Sequence, residues 1–195
     1  MANHVDSYLS FVKISPEGID RLNQIYERFD RFKENGECHL SYAFYDSLED
    51  LPCPTYELIG AKWGFVQDYD EDGMSMYSAW SAVPEFVEYV ISEIATVDKE
   101  VLATYTYSDE MPNFIGVQVY TADGLYDEEY MDDEDIRMSL TLTHPELKEL
   151  WDEDEEEFTD DGELYSELVW EFINIWHTSE AESMVQSVEL EKEAA

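Results

Sequence analysis

Charge is the strongest constraint on this chain, because 48 Asp and Glu residues stand against 10 Lys and Arg residues. Residues 1–62 carry 11 acidic and 6 basic side chains, whereas residues 63–195 carry 37 and 4. Ionised groups are costly to bury without a partner, so these acids must lie at the surface around an apolar core. With 195 residues, 44% of them hydrophobic, the chain is long enough to build that core.

The same charge argues against two classes of ligand. A formal net charge of −38 repels nucleic-acid phosphates and anionic lipids, so we expect direct binding to neither. The sequence has no apolar run near the ~20 residues of a membrane-spanning helix, and no basic-then-apolar signal pattern at its start. Two cysteines without a disulfide framework suit a reducing compartment. We therefore expect a cytoplasmic protein with a basic protein partner.

Hydrophobic periodicity predicts both strands and helices. Ser15-Pro16 is typical of a helix start, and apolar residues at helical spacing continue to a stop at Asn35-Gly36. A second helix is expected between Pro84 and about Val97, whereas residues 40–54 are ambiguous between strand and loop. Alternating patterns predict strands over 8–14, 63–69, 74–80, 101–107, 114–120 and 137–142, the second and third joined as a hairpin by an Asp-Gly turn.

The C-terminal part is expected to be helical. Thr143 and Glu146 have the spacing of a capping box, which predicts a helix start that buries Leu147, Leu150 and Trp151. Residues 163–191 predict a long helix with a wide apolar stripe. The prediction is an α+β domain over residues 1–142 with an antiparallel sheet and two helices, and an acidic helical extension over residues 143–195. The extension either packs on that domain or forms an oligomer contact, such as a homodimer through the long helix.

Three short motifs suggest a family. Gly60-Ala61-Lys62-Trp63 precedes one predicted strand, Ala79-Trp80-Ser81 ends the next, and Phe114-Ile115-Gly116 begins a later one. Over residues 56–119 the chain resembles a phage and plasmid family having a ferredoxin-like domain. The resemblance implies a ferredoxin-like antiparallel sheet with two helices and a phage or plasmid origin. The family has no established activity to carry over.

One segment resembles half of a calcium-binding loop. Asp68, Asp70 and Asp72 alternate before Gly73, as carboxylate ligands do in such loops. The twelfth position, where a bidentate acid closes the site, is Ala79, and the flanking segments have strand patterns. A hairpin turn is therefore favoured over a calcium site.

Evidence for other metal sites and for catalysis is weak. Cys38, His39 and Cys53 lack a fourth zinc ligand and the usual close pairing. The sequence contains no nucleophile elbow, zinc-protease motif or glycine-rich phosphate loop. We expect no metal, no cofactor and no enzymatic activity.

The dominant signal is the segment 126–163, where 18 acids stand against Arg137 and Lys148. Duplex DNA carries one charge per ~1.7 Å, so the net charge of residues 63–195 corresponds to roughly 16 base pairs. This predicts a phage-type DNA mimic that binds and inhibits a host DNA-binding protein of defence or transcription. The candidate partner-binding residues are Asp127, Glu128, Glu129, Asp132, Asp133, Glu134, Asp135, Asp152, Glu153, Asp154, Glu155, Glu156, Glu157, Asp160 and Asp161.

Three alternatives remain open from the sequence. The chain fits an acidic holder or chaperone of basic proteins, a virion or assembly component, and a protein whose acidic surface is an adaptation to high salt. Acids fixed on helices and strands would favour the mimic, and disorder of residues 152–163 would favour the holder. Tyr126 and Tyr130 fit equally well as aromatic contacts for a partner and as half-buried positions of the fold.

Overall fold

An antiparallel sheet dominates the computed structural model, which describes residues 3–34, 37–49, 51–147, 151–152, 157–158 and 163–194. Within these residues seven strands pair in the order β2-β3-β4-β1-β5-β6-β7. The strands are β1 (His4–Lys13), β2 (Cys38–His39), β3 (Gly64–Asp70), β4 (Gly73–Ala79), β5 (Leu102–Asp109), β6 (Phe114–Thr121) and β7 (Gly124–Asp132). Two further short strands, β8 (Trp151–Asp152) and β9 (Glu157–Phe158), pair with each other.

Helices cover both faces of the sheet. The helices are α1 (Pro16–Phe32), α2 (Thr55–Ile59), α3 (Pro84–Ala95), α4 (Asp133–Thr143) and α5 (Glu163–Ala194), with a 3₁₀ turn over Leu40–Ala43. The first three helices pack on the face that carries Val5 and Leu9, which we call the inner face. Helices α4 and α5 pack on the face that carries Val117 and Val119, the outer face. The result is a three-layer arrangement with a separate apolar core on each side.

The predicted start of α1 is confirmed. The Ser15 hydroxyl accepts a hydrogen bond from the backbone N–H of Gly18 (3.1 Å), and Pro16 occupies the first turn. The Asp98 carboxylate, which follows α3, accepts a hydrogen bond from the backbone N–H of Ser15 (2.6 Å). This contact joins the two inner-face helices at their ends.

The predicted β3–β4 hairpin is also confirmed. Asp70 pairs with Gly73 across the turn, and its carboxylate accepts hydrogen bonds from the backbone N–H groups of Asp72 (2.9 Å) and Gly73 (3.1 Å). A Cβ atom on Gly73 would lie 2.0 Å from the carbonyl oxygen of Leu9, so this position requires glycine.

The long C-terminal helix forms as predicted, and its apolar stripe packs on the chain's own sheet. Val169, Ile173 and Trp176 are buried against the outer face together with Val117 and Val119 of β6. Near its middle the helix also makes a polar contact, in which Nε2–H of His177 donates to the backbone carbonyl of Tyr107 (3.2 Å).

The predicted strand over residues 137–142 is wrong, because these residues form most of α4. The Asp132 carboxylate caps the helix by accepting a hydrogen bond from the backbone N–H of Asp135 (3.0 Å). Acidic residues in a first turn interact favourably with the helix dipole. Ile136 and Leu140, four residues apart, are both buried in the outer-face core. The strand that follows β6 and pairs with it is instead β7, which the alternation of apolar residues did not predict.

The predicted capping box at Thr143 is wrong, although Leu147 is again helical as predicted. Thr143 is the last residue of α4, and its hydroxyl donates to the carbonyls of Ser139 (3.2 Å) and Leu140 (3.1 Å). The predicted burial of Leu147 is confirmed, since this side chain is fully inaccessible to solvent. Leu150 lies outside the described residues, and only the backbone of Trp151 is described.

The predicted fold class is confirmed at the level of an α+β protein with an antiparallel sheet and a C-terminal helix. The sheet is larger than that of a simple ferredoxin-like fold. Among the described helices, none combines the length and the apolar character needed to cross a membrane.

Substitutions of two isoleucines on α5 test whether this helix packs on the outer face of the sheet. Ile173 is 2% exposed and Ile175 is 62% exposed. We expect Ile173→Ala to lower the free energy of unfolding by about 2–5 kcal/mol, because it leaves a cavity in the outer-face core. Ile175→Ala should change it by less than about 0.5 kcal/mol. Urea unfolding measures both, and equal effects would contradict the packing of α5 on the sheet.

The burial of His177 should make the free energy of unfolding depend on pH. Burial lowers its pKa from 6.5 to about 4, against an opposing effect of the Tyr107 carbonyl. The unfolded chain therefore binds a proton at higher pH than the folded protein, so this histidine destabilises the fold progressively as pH falls from 6.5 towards 4.

The matched variant is His177→Gln, which keeps a donor for the carbonyl but does not titrate. Urea unfolding of parent and variant at several pH values over that range should show a steeper loss for the parent. The carboxylates are common to both proteins and cancel in the difference. Parallel pH profiles would contradict a buried, neutral His177.

Candidate acidic binding surface

Seven of the predicted partner-binding residues lie together at one edge of the sheet. All seven are exposed, and they occupy β7 and the beginning of α4. We call this set the β7–α4 acidic surface. Its members are Asp127, Glu128, Glu129, Asp132, Asp133, Glu134 and Asp135.

Register places these acids on both sides of the edge strand. Asp127 and Glu129 are opposite Val119 and Val117, on the outer face, whereas Glu128 is opposite Gln118, on the inner face. Strand β7 is the last in the sheet order. Charged side chains on an edge strand hinder pairing with another sheet, so these acids also protect the edge of this sheet against association.

The spacing of the seven charges is close to that of one nucleic-acid strand. Five steps along a strand from Asp127 to Asp132 cover ~17 Å, and three helical steps to Asp135 add ~4.5 Å. Seven charges along that contour give one per ~3.6 Å, against one phosphate per ~3.4 Å of axis in a single strand of duplex DNA. Counted along the chain and over both faces of the strand, the surface therefore carries negative charge at about the density of one DNA strand.

Hydrogen bonds hold three of these carboxylates in place. Asp127 accepts from the backbone N–H of Glu128 (3.0 Å). Glu128 accepts from the amide nitrogen of Gln118 (3.1 Å), whose amide oxygen accepts from the hydroxyl of Tyr120 (2.7 Å). Both partners are buried, so the sheet interior fixes this glutamate. Asp132 is fixed as the cap of α4. The charges are thus attached to ordered secondary structure.

The other predicted partner-binding residues are less fully described. Asp152 lies in β8 and Glu157 in β9, where only the backbone is described. The remaining candidates lie outside the described residues, and their placement stays a prediction. They are Glu153, Asp154, Glu155, Glu156, Asp160 and Asp161.

The structure separates the two tyrosines that the sequence left open. Tyr126 is half-buried and packs against the outer-face core. Tyr130 is 54% exposed, and its ring stacks near that of Phe114 with 6.3 Å between centroids. Partial burial and the nearby Asp132 raise the pKa of Tyr130. Tyr130 is therefore an aromatic side chain within the acidic surface, accessible to a partner.

Cys38 and His39, two of the residues weighed as metal ligands in the sequence, are buried and hydrogen-bonded within the protein. Among the described residues, no group of three or more His, Cys, Asp or Glu side chains is placed to hold a metal ion. Burial raises the pKa of the Cys38 thiol to about 11 and lowers that of His39 to about 4. Nδ1 of His39 accepts a hydrogen bond from the backbone N–H of Ser41 (3.1 Å). At pH 7 the thiol is protonated and the imidazole is neutral.

An aromatic cluster on the outer face is a second surface feature, which was not predicted from the sequence. Trp63, Phe65 and Tyr77 lie on β3–β4 or directly before it, and the ring of His4 on β1 joins them. The signal was available in the predicted hairpin, since Trp63 and Phe65 are two residues apart and so lie on one face. Strand order, which brings β1 beside β4, was needed to add His4.

The motifs behind the family resemblance contact one another. The Ser81 hydroxyl donates to the carbonyl of Gly60 (2.7 Å), and the backbone N–H of Ala79 donates to the carbonyl of Trp63 (3.0 Å). Gly116 lies so close to the ring of Tyr107 that a Cβ atom would come within 2.1 Å of it. These motif residues therefore have structural roles at strand ends and under a ring.

Comparison with known proteins identifies no relative. No family model, no curated protein and no solved structure matches this chain. The resemblance to the phage and plasmid family stays a prediction.

The acidic surface predicts a salt-dependent stability. Screening shortens the range of repulsion to about 8 Å at 0.15 M salt, so we expect the melting temperature to rise with ionic strength. Replacing Asp127 and Asp133 by Asn, and Glu129 and Glu134 by Gln, should reduce that rise, because it removes four of the crowded charges. This substitution set leaves Glu128 and Asp132 intact, and Asp127→Asn keeps a side-chain oxygen that can accept from the backbone N–H of Glu128. Thermal melts across a sodium chloride series measure both effects, and a flat series for the parent would contradict the prediction.

Proposed function

We propose that the protein binds a basic, DNA-binding protein through the β7–α4 acidic surface and blocks it by mimicking DNA. The observation that carries this proposal is the fixed array of seven carboxylates at nearly the charge density of one DNA strand. A groove that binds DNA offers Lys and Arg at phosphate spacing, and the same residues would pair with these carboxylates. Inhibition follows because the mimic and DNA compete for one groove.

Fixed charges favour a mimic over a loose acidic holder. A holder gains from a flexible chain that adapts to many clients, whereas a mimic gains from charges that are already positioned and lose little entropy on binding. Asp127, Glu128 and Asp132 are held by hydrogen bonds, and the strand and helix position the other four. Exposed Tyr130 adds an aromatic contact of the kind that strengthens protein interfaces.

The remaining parts of the hypothesis follow from the resemblance and from strand order. The elements β1, α1, β3, β4, α3 and β5 follow a β-α-β-β-α-β sequence, with strand order β3-β4-β1-β5. We propose that this part of residues 1–142 is a ferredoxin-like unit, with residues 143–195 as an acidic helical extension. A phage or plasmid origin, a role in the cytoplasm of the host cell and the absence of catalysis belong to the same proposal.

Two charge-matched variants test the location of the binding surface. The first neutralises four acids of the β7–α4 acidic surface, with Asp127→Asn, Glu129→Gln, Asp133→Asn and Glu134→Gln. The second neutralises four exposed acids of α5, with Glu167→Gln, Glu171→Gln, Glu182→Gln and Glu189→Gln. Both change the net charge equally, so any difference between them reports position and not total charge.

Each protein is immobilised and exposed to bacterial lysate at low salt, and bound proteins are eluted with duplex DNA. We expect a DNA-binding protein to be retained by the parent and by the α5 variant, to be released by DNA, and to be lost from the β7–α4 variant. With the isolated partner, the salt dependence of binding should be weaker for the β7–α4 variant. Equal losses in both variants would favour the acidic holder, and failure of DNA to compete would exclude the mimic.

A further inference from the structure

The outer face of the sheet is covered unevenly. Helix α5 packs against β5 and β6, and α4 packs against β7. On β1, at the centre of the sheet, the inward residues Val5 and Leu9 are buried, whereas the outward residues His4, Asp6 and Tyr8 are exposed. The half of the outer face that is formed by β1, β4 and β3 thus presents side chains to solvent.

Aromatic rings concentrate on this half of the outer face. His4 and Trp63 pack edge to face with 5.4 Å between ring centroids, and Phe65 and Tyr77 stack at 5.4 Å. The centroids of Trp63 and Phe65 lie 5.8 Å apart, which joins the two pairs. All four rings are half-exposed or exposed. With Tyr8, which is 43% exposed and opposite Ser75 on β4, they form what we call the β1–β4 aromatic surface.

Carboxylates surround these rings. Asp6 is opposite Tyr77 in the β1–β4 register and is exposed, and burial together with the Glu37 carboxylate raises the pKa of Tyr77 to about 12. At the other end, burial and the carboxylates of the β3–β4 turn, Asp70 first among them, raise the pKa of Tyr8. A ligand on this surface therefore meets aromatic rings in the centre and negative charge on both sides.

We propose that the β1–β4 aromatic surface docks an arginine-bearing segment of a basic protein. The guanidinium group is planar, stacks on aromatic rings and pairs with carboxylates through its fork of N–H donors. The surface offers both partners within one half of a sheet face. Lysine has no planar face for stacking and retains its hydration more strongly, so the surface selects arginine over lysine.

Charge decides between this occupant and a single-stranded nucleic acid. Exposed aromatic rings on a sheet also serve as stacking platforms for bases, but such sites add a positively charged groove for the backbone. Here the neighbours are Asp6, Glu37 and the acidic β3–β4 turn. A phosphate backbone would be repelled on both sides of the rings, whereas an arginine segment would be attracted.

This surface is separate from the one in the proposed function. Strand β4 lies four strand spacings from β7, which is ~19 Å across the sheet. The two surfaces also differ in chemistry, since one is a row of carboxylates and the other a cluster of rings within a carboxylate border. Arginine selectivity is expected only of the second, so the two proposals can fail independently.

Trp80, beside the aromatic surface, has an unusual backbone conformation. Trp80, directly after β4, is 56% exposed and has a φ of 73°, in the left-handed region that bulky residues rarely adopt. Its backbone N–H donates to the carbonyl of Asn3, next to β1 (3.0 Å). An exposed indole on a strained backbone beside the aromatic surface suits a contact residue.

The test uses labelled peptides whose binding is followed by fluorescence anisotropy at about physiological ionic strength. The probe is a short glycine-serine peptide with three arginines at alternate positions. Two matched peptides carry lysine or citrulline in their place, and an oligothymidylate of similar length reports nucleic-acid binding. The protein variants are Trp63→Leu with Tyr77→Leu, which keep apolar bulk, and Tyr56→Leu as a control at an exposed tyrosine on α2. Thermal melting of each variant verifies that it is folded.

We expect the parent to bind the arginine peptide at least about threefold more tightly than the lysine peptide. Loss of each ring should weaken arginine binding by about two- to fivefold, so that the double variant loses the preference. Tyr56→Leu should change nothing. The variant with four neutralised acids on the β7–α4 acidic surface should retain the preference for arginine, even if both peptides bind more weakly to it.

Three results would overturn the proposal. Equal binding of the arginine and lysine peptides to the parent would exclude recognition by rings. A preference for arginine that survives in the folded double variant would place the binding elsewhere. Tighter binding of the oligothymidylate, or concentration-dependent dimerisation that the double variant abolishes, would identify a nucleic acid or a second copy of the chain as the occupant.

Discussion

Burial of apolar side chains on both faces of one sheet is the interaction on which the rest of this structure depends. Carboxylates outnumber basic groups by 38, so repulsion opposes compaction throughout the second half of the chain. The inner-face core, around Leu22 and Phe86, and the outer-face core, around Val117 and Ile173, supply the opposing free energy. A sheet covered on one face alone would bury only one of these cores.

This two-sided burial determines where charge is tolerated. Apolar side chains occupy the central strands and the contacts of the helices, so the acids lie on the edge strand, in turns, at helix starts and on the solvent-facing sides of helices such as α5. Several of these positions also have a local stabilising effect. Acids on β7 discourage pairing with another sheet, those at the start of α4 interact with the helix dipole, and Asp70 satisfies two backbone N–H groups in its turn. The β7–α4 acidic surface therefore also helps to keep the sheet from pairing with another sheet.

Helix α5 divides the outer face into two chemically different halves. Over β5 and β6 its stripe closes a dry core, and beyond that core β7 displays carboxylates. Over β1, β4 and β3 the rings of Trp63, Phe65 and Tyr77 stay accessible. A basic partner would thus meet charge at one edge and stacking surfaces on the other half, two modes of attraction that favour the same kind of partner through different chemistry.

The sequence by itself determined the local elements, because their signals are carried by neighbouring residues. The Ser15 cap, the Asp-Gly hairpin and the apolar stripe of α5 each depend on contacts within a few turns or across one tight turn, and all three were predicted. The excess of acidic residues after Trp63 also follows directly from the sequence. Only the tertiary structure decided that residues 137–142 are helical and not a strand. A helix places Ile136 and Leu140 together in the outer-face core, and the local pattern of apolar residues did not reveal that contact. The tertiary structure alone also made β7 an edge strand and brought His4 next to Trp63. Strand order joins segments that are far apart in sequence, and the periodicity within one segment does not show which strand will lie beside it.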